Sequence, residues 1–318
     1  NLIYFGPGVH NLPNDTLFVP SGTTVYIDGG ARVYGNIFTE GAHDVNIFGR
    51  GEVHPDGRGA GVWVRRSKNV RIDGIVVSQL PIGQCDSVEL TNVKSISYYG
   101  WGDGMDVFSS SNVILDGVFC RNSDDCAAVY ASTQGFKGGS NNVLVKNATL
   151  WADVAHPINI GGHGDPNGMD TVQNVTFRNI DILDQAEKQI DYQGCLAINP
   201  GDNTLVRNIT FENIRIEDFR NGQLVNFRIS FNPKYCVSTG RGIQNVLVKD
   251  VTYNGSGENL SIIAGYDENH KISGIRFVNL VVNGRKITDD MPGKPKWYKT
   301  GDMAGIFVGE HVENLSFE

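Results

Sequence analysis

The chain is short of positive charge: 27 Lys and Arg face 35 Asp and Glu, leaving a formal net charge of −8. Surfaces that bind a phosphate backbone are normally basic, so a nucleic-acid partner is not expected. A strongly anionic polymer would be an awkward partner too, unless Lys and Arg gather locally. Long apolar runs are missing; none reaches the roughly 18 residues from which a membrane-spanning helix is read, so no helical span is expected. The five cysteines, Cys85, Cys120, Cys126, Cys195 and Cys236, show no C-x-x-C ligand spacing, and no metal or cofactor is expected. Their odd number leaves at least one unpaired, and buried apolar thiols account for them at least as well as bridges do. No signal peptide opens the chain. Asn1 to Phe5 reads instead as strand from the middle of a domain, which leads us to expect a chain trimmed from a longer precursor.

Glycine, by contrast, is abundant: 39 residues of 318, with only 11 prolines and no Gly-X-Y period. That excess points to many tight turns between strands. Helical periodicity is absent from the stretches between apolar segments, which weakens any βαβ reading.

A short pattern recurs instead. A polar residue precedes Val or Ile, then any residue, then another β-favouring residue. It appears as Asp44-Val45-Asn46-Ile47, Asn69-Val70-Arg71-Ile72, Ser87-Val88-Glu89-Leu90, Asn112-Val113-Ile114-Leu115 and Asn142-Val143-Leu144-Val145. It continues as Asn174-Val175-Thr176-Phe177, Asn208-Ile209-Thr210-Phe211, Asn245-Val246-Leu247-Val248, Gly274-Ile275-Arg276-Phe277 and Asn314-Leu315-Ser316-Phe317. Many units close on Asn or Asp: Asn92, Asn147, Asn179, Asn213, Asp250 and Asn279.

Period-two alternation inside each unit says strand. Recurrence at steps of roughly 20 to 40 residues says solenoid. The expected fold is therefore all-β, a right-handed parallel β-helix forming one domain over residues 1–318. The steps lengthen in the second half, which implies loops growing on one side, where a cleft wall would be built. A sandwich of hairpins would not explain the regular register. The chain stops just after a strand unit, and an open solenoid end recruits other chains. The expectation is thus a monomer, or a parent protein with an additional domain over that end.

The densest polar feature is Gly100-Trp101-Gly102-Asp103-Gly104-Met105-Asp106, followed by Ser123-Asp124-Asp125-Cys126. Asp103 and Asp124 lie about one coil apart, and parallel neighbours stand roughly 4.8 Å apart, so several carboxylates should meet in one patch. Adjacent strand residues face opposite ways, so Asp124 and Asp125 can share a cleft only if they sit at a bend. Such a cluster suits paired acid–base cleavage of a glycoside. Asp beside Gly is also ordinary turn chemistry, and clustered carboxylates also bind Ca²⁺; the spacing alone leaves all three open.

These residues carry a resemblance. Trp101-Gly102-Asp103-Gly104-Met105-Asp106, with Asp124-Asp125-Cys126-Ala127-Ala128, resembles glycoside hydrolase family 28, whose polygalacturonases read N-T-D-G-F-D and then D-D-C-x-A at the same separation. His156-Pro157-Ile158-Asn159-Ile160-Gly161 looks like that family's H-G-x-S-I-G, and Phe227-Arg228-Ile229-Ser230 falls where it has R-I-K. More of the chain is similar to the dextranases of family 49: Tyr4-Phe5-Gly6-Pro7-Gly8-Val9, the stretch from Asn147 to Gln185, and Phe227-Arg228-Ile229 with Asn232-Pro233.

Both families imply a right-handed β-helix and an inverting O-glycosyl hydrolase acting on a carbohydrate polymer, secreted or periplasmic. The resemblance makes Asp124 the general acid, and Asp103 and Asp125 the pair that holds the nucleophilic water. It places His156 and Arg228 in substrate binding, with Trp101 and Asp106 beside them. Asp106 is expected to brace the turn, His156 to support the site or touch substrate, and His163 is its weaker rival. Tyr98, Tyr99, Trp101, Trp151, Tyr192 and Tyr235 are candidate platforms for sugar rings.

Two departures bear on substrate. Trp101-Gly102 replaces the Asn-Thr, and Ser230 replaces the lysine that holds a galacturonate carboxylate in polygalacturonases. Loss of that lysine favours a neutral or modified glycan, dextran-like or pectic. The competing classes are a polysaccharide lyase of the same fold, using Ca²⁺ and a basic residue, and a non-catalytic glycan-binding β-helix. Sequons at Asn14, Asn147, Asn174 and Asn208 mostly coincide with the repeat asparagines, which favours a structural role for them.

Overall fold

In the computed structural model, which describes residues 1–257 and 259–318, the chain winds as a right-handed parallel β-helix. The recurring pattern is one register column. Val45 pairs with Val70, and then follow Val88, Val113, Val143, Val175, Ile209, Val246, Ile275 and Leu315, each opposite the last. All but Leu315 are buried within the solenoid.

The polar residue that opens each unit has a backbone reason. Asp44, Asn69, Ser87, Asn112, Asn142, Asn174, Asn208, Asn245 and Asn314 all have φ between +54° and +60°. That left-handed region disfavours most L-residues but is reached readily by Asn, Asp and Gly, and Gly274 (φ +71°) fills the remaining unit. The closing residues do the same: Asn92, Asn147, Asn179, Asn213, Asp250 and Asn279 have φ between +53° and +57°. Each bend turns the chain from one sheet into the next.

The amides at these bends bond from coil to coil. Asn142 Nδ2 donates to Asn112 Oδ1 (2.7 Å), Asn208 to Asn174 (3.1 Å) and Asn245 to Asn208 (3.3 Å). A second ladder runs Asn147 to Asp116 and Asn179 to Asn147, each at 2.7 Å, then Asn213 to Asn179 at 3.3 Å. Sequon residues Asn147, Asn174 and Asn208 are members of these ladders.

Three columns of parallel strands result. The third carries the site; it runs through Val62–Arg65, Ile82–Gly83, Met105–Phe108, Ala127–Tyr130, Ile158–Ile160, Leu196–Ile198 and Val225–Arg228. Its alternation is strict: Met105, Val107, Ala127 and Val129 enter the main core, whereas Phe108, Ala128 and Tyr130 form a separate outer cluster with Phe136. The five cysteines are free thiols, four of them buried.

Inside the second half, phenyl rings stack along the axis: Phe177 on Phe211 (5.9 Å between centroids), Phe211 on Phe227 (6.0 Å), and Phe277 on Phe317 (4.8 Å). Phe211 is fully enclosed between two of these neighbours. Its truncation leaves a cavity that parallel coils cannot close independently. Phe211→Ala should therefore lower stability by roughly 3–5 kcal/mol, read from the denaturant midpoint.

Candidate active site

The site begins with register. Met105 pairs with Ala127 and Ala127 with Ile158. Continuing that register backward sets Asp103 opposite Asp125 and Asp125 opposite His156. The hydrogen bonds agree: Gly104 N–H donates to Asp125 O (2.7 Å), and Cys126 N–H to His156 O (2.9 Å). A Cβ on Gly104 would stand 2.2 Å from the Cys126 carbonyl, so only glycine allows this approach. Asp124 and Asp125 lie between the strands Phe119–Asn122 and Ala127–Tyr130, at the bend that lets neighbouring residues face one cleft. One carboxylate oxygen from each of Asp103, Asp124 and Asp125 lies within 4.8 Å of the other two.

Identical neighbours receive different environments. Asp125 is fully buried, which alone would raise its pKa. Its Oδ1 accepts from the His156 backbone N–H (3.0 Å) and from His156 Nδ1 (2.7 Å). Its Oδ2 accepts from Tyr130 Oη (2.6 Å) and Asn159 Nδ2 (2.9 Å). Four donors fill the lone pairs of this carboxylate, and with the adjacent His156 they outweigh burial and hold its pKa below the usual range. Asp124 has burial and the Asp125 charge against it, and its carboxyl is pushed up to about 7. Its one backbone donor, the Asp125 N–H at 3.1 Å, does not compensate.

Asp103 and Asp106 act as a pair. Burial, then the charges of Asp124 and Asp125, raises Asp103 well above its ordinary value; burial, then Asp103, does the same to Asp106. The hydrogen bond between them favours ionised Asp103 and protonated Asp106. Asp106 is also the worse place for charge, since its Oδ1 meets no partner among the described residues. The shared proton therefore belongs on Asp106, which donates it to Asp103.

The cleft over these groups has a volume of about 620 Å³. Asp103, Asp106, Asp124 and Asp125 line it, with Tyr98, Tyr99, Trp101, Tyr192 and Tyr235 on its walls. Trp101 (φ +58°) is 76% exposed, with Arg58 stacked 5.5 Å from its ring. Trp151 lies elsewhere, under the Arg121 guanidinium. His156 is fully buried beneath the edge of Tyr192 (4.4 Å between ring centroids), so it supports Asp125 and does not reach the cleft. His163, the weaker rival from sequence, does line the cleft, packed edge-on against Tyr130 at 5.0 Å. Burial holds its pKa below the ordinary value, which keeps it neutral.

Arg228 ends the strand Val225–Arg228 and lines neither the cleft nor the small cavity of about 40 Å³ that contains Ser230. Tyr192 and Tyr235, stacked at 4.9 Å, line both spaces and stand between them. Sequence reasoning missed Tyr130 and Asn159. The alternation could have found them, because both sit on the outward parity of Asp106 and Phe108, one and two coils on. It also missed Glu187, Gln189 and Lys234, which arrive on loops without a repeat pattern.

The raised Asp124 has a consequence for stability. The folded state binds this proton more tightly than the unfolded chain, so stability falls as pH rises from about 4 to about 7 and is level above. Asp124→Asn removes the penalty. Above pH 7 the variant should be more stable than the parent by on the order of a few kcal/mol, with the difference fading toward pH 4 in thermal melts across pH.

Comparison with known proteins matches residues 60–291 to the family described as glycosyl hydrolases family 28. A polygalacturonase of Juniperus ashei is 26% identical over 216 residues, covering 65% of this chain and 39% of that protein. A probable endopolygalacturonase D of Aspergillus flavus is 26% identical over 316 residues, covering 89% and 56%. The chain thus spans about half the length of these relatives. Among solved structures, the family 28 exopolygalacturonase of Yersinia enterocolitica superposes with a TM-score of 0.69 at 14% identity, over 99% of this chain and 72% of that one. Dex49A from Penicillium minioluteum gives 0.63 at 15% identity, over 90% and 55%. These two likenesses speak to the fold, whereas the family match extends over most of the sequence and includes every aspartate of the cluster: the chain belongs to glycosyl hydrolases family 28.

Proposed function

We propose that this protein is a glycoside hydrolase that cleaves a pectic glycan by direct displacement with inversion. One observation carries the reading: Asp124, a carboxyl pushed up to about 7, stands within 4.8 Å of Asp125, whose carboxylate four donors hold ionised, and of Asp103, which accepts a hydrogen bond from Asp106. That is the division of labour that glycoside cleavage needs, an acid for the leaving oxygen and a base for water. Asp124 protonates the departing glycosidic oxygen. Asp103 and Asp125 flank the attacking water, and Asp103, whose lone pairs are less occupied, takes its proton. Asp125 supplies fixed negative charge, and His156, Tyr130 and Asn159 hold it in place. Trp101 and the cleft tyrosines offer faces for sugar rings.

Retaining pairs usually stand about 5–5.5 Å apart and inverting pairs about 6.5–9.5 Å apart. The closeness here does not argue for retention, because a covalent nucleophile needs a free oxygen aimed at the anomeric carbon. Asp125 has none, and Asp103 is bonded to Asp106. The same commitments oppose a Ca²⁺-dependent lyase, since a cation would have to displace these donors. Polygalacturonases among the relatives support a pectic substrate, and Ser230 in place of the lysine supports a neutral or modified sugar beside the cleaved bond. A polymer of that kind does not cross a membrane intact, which supports a secreted or periplasmic setting.

Asp124→Asn should lower kcat by about 10²–10⁴-fold. Activity of the parent should fall as pH rises through about 7, where Asp124 loses its proton. Products followed by NMR should appear first as the anomer opposite to the substrate's; a retained anomer would refute the assignment.

A further inference from the structure

Beside the cleft, on the same outer face of the third sheet, lies a depression of about 260 Å³ lined by Trp63, Arg65, Arg66, Gln134 and Phe136. Gln134 also lines the catalytic cleft, so the two spaces adjoin. Trp63 and Arg65 lie on Val62–Arg65, two strands from Met105–Phe108 in the ladder, which is roughly 10 Å.

The depression is built from rings and guanidinium groups. The Arg65 guanidinium carbon stands 4.2 Å from the Trp63 ring centroid and 4.6 Å from that of Phe38. Those two rings are nearly parallel, at 13°, and Phe18 stacks on Phe38 at 5.4 Å. Arg66 lies 5.0 Å over the Phe136 ring, which stacks on Phe108, which stacks on Tyr130. A Cβ on Gly83 would stand 2.3 Å from Phe136, so the glycine is what admits the ring. An unbroken aromatic and arginine track therefore leads from Tyr130, hydrogen-bonded to Asp125, to the exposed Phe18.

The charge on this track is not balanced. Glu40 faces both arginines, 3.0 Å from Arg66 and 3.8 Å from Arg65, leaving one positive charge in excess among the three. Arg65 Nε is buried and meets no partner among the described residues. Planar guanidinium forks backed by aromatic faces suit a carboxylate attached to a ring.

We propose that this pocket is a distal subsite that binds a carboxylate-bearing sugar of the glycan whose bond is cut at the aspartates. The inference rests on the hydrolase reading above and extends it. Recognition of acid is placed a few sugar units along the glycan from the aspartates, in a chain whose position for the family's lysine holds Ser230. The substrate class that fits is a heteropolymer with a neutral or modified unit at the scissile bond and a uronate farther out.

The test uses the full chain carrying Asp124→Asn, titrated calorimetrically with oligogalacturonides and with the same oligomers after reduction of their carboxyls to alcohols. Adding Arg66→Gln should weaken binding of the charged oligomers about tenfold and leave the reduced ones unchanged. Adding Glu40→Gln should tighten binding of the charged oligomers only, which a merely structural role would not do. Arg65→Gln should resemble Arg66→Gln, and Arg66, half-exposed on the rim, covers the case in which loss of Arg65 unfolds the coil. No measurable binding of charged oligomers, unchanged affinity in Arg66→Gln, or equal loss for both oligomer sets would overturn the subsite. Cleavage of a pectic glycan by the unaltered chain alongside any of those results would sink the subsite and spare the hydrolase. Charge-dependent binding lost in the arginine variants, with no cleavage by the unaltered chain, would sink the hydrolase and spare the subsite.

Discussion

Every coil of this solenoid turns at residues held in the left-handed backbone region, and the chemistry depends on those turns being the same from coil to coil. A slip of one residue between neighbouring strands would move an entire set of side chains to the other face. Val45 through Leu315 keep one register over ten strands because each is preceded by a bend that only Asn, Asp, Gly or a small polar residue forms easily. The amide ladders fix those bends against one another. With register held, Asp103, Asp125 and His156 fall opposite each other on three successive coils without any further device.

Stability in such a fold is close to a sum of coil and neighbour terms, so crowded charge cannot be offset at a distance. The carboxylates must be managed where they stand. The molecule does so with two local arrangements. Asp125 receives four hydrogen bonds from three side chains and a backbone amide, all supplied by adjacent strands. Asp103 receives the proton-bearing hydroxyl of Asp106, three residues further along the chain. Asp124, left without such support, absorbs the cost as a raised pKa. The three carboxyls thus differ by their surroundings: Asp125 is held low, whereas Asp103 and Asp124 are both raised.

What could be read from the sequence follows from the same physics. Positive φ restricts residue choice, so the bends left a visible mark as the repeating Asn, and the fold and its register were legible from that mark. The aspartates were legible because Gly104 and the bend at Asp124-Asp125 are local requirements. The pairing of Asp106 with Asp103 was not legible, because no spacing rule sets which carboxyl of the cluster carries the proton. Cleft walls were not legible: Glu187, Gln189 and Lys234 sit on loops whose positions no periodicity encodes. Which of the two histidines lines the cleft was not legible for a related reason. His156 is on the strand register and therefore buried under Asp125, whereas His163 follows the strand and emerges into the cleft.

The acidic cluster also constrains how a charged polymer could be held at all. A carboxylate-bearing sugar seated against Asp103 and Asp125 would meet two fixed negative charges in a partly desolvated cleft, where repulsion is weakly screened. It would also raise the pKa of Asp124 further and pull the acid away from the pH at which it can both hold and release a proton. A lysine beside the scissile bond would relieve that conflict, but the position the resemblance gives it holds Ser230, in the small cavity behind Tyr192 and Tyr235. Moving the positive charge outward to Arg65 and Arg66 relieves it differently. The charges that act on Asp124 are those of Asp125, His156 and Glu187, so the arginines can bind an anion without cancelling the field that keeps Asp124 protonated. The chain's net charge of −8 does not prevent local attraction, since Arg65 and Arg66 lie on this track and Lys234 on the cleft wall. On the proposed reading, an acid bound at the arginines and the proton held by Asp124 need not oppose each other at one point.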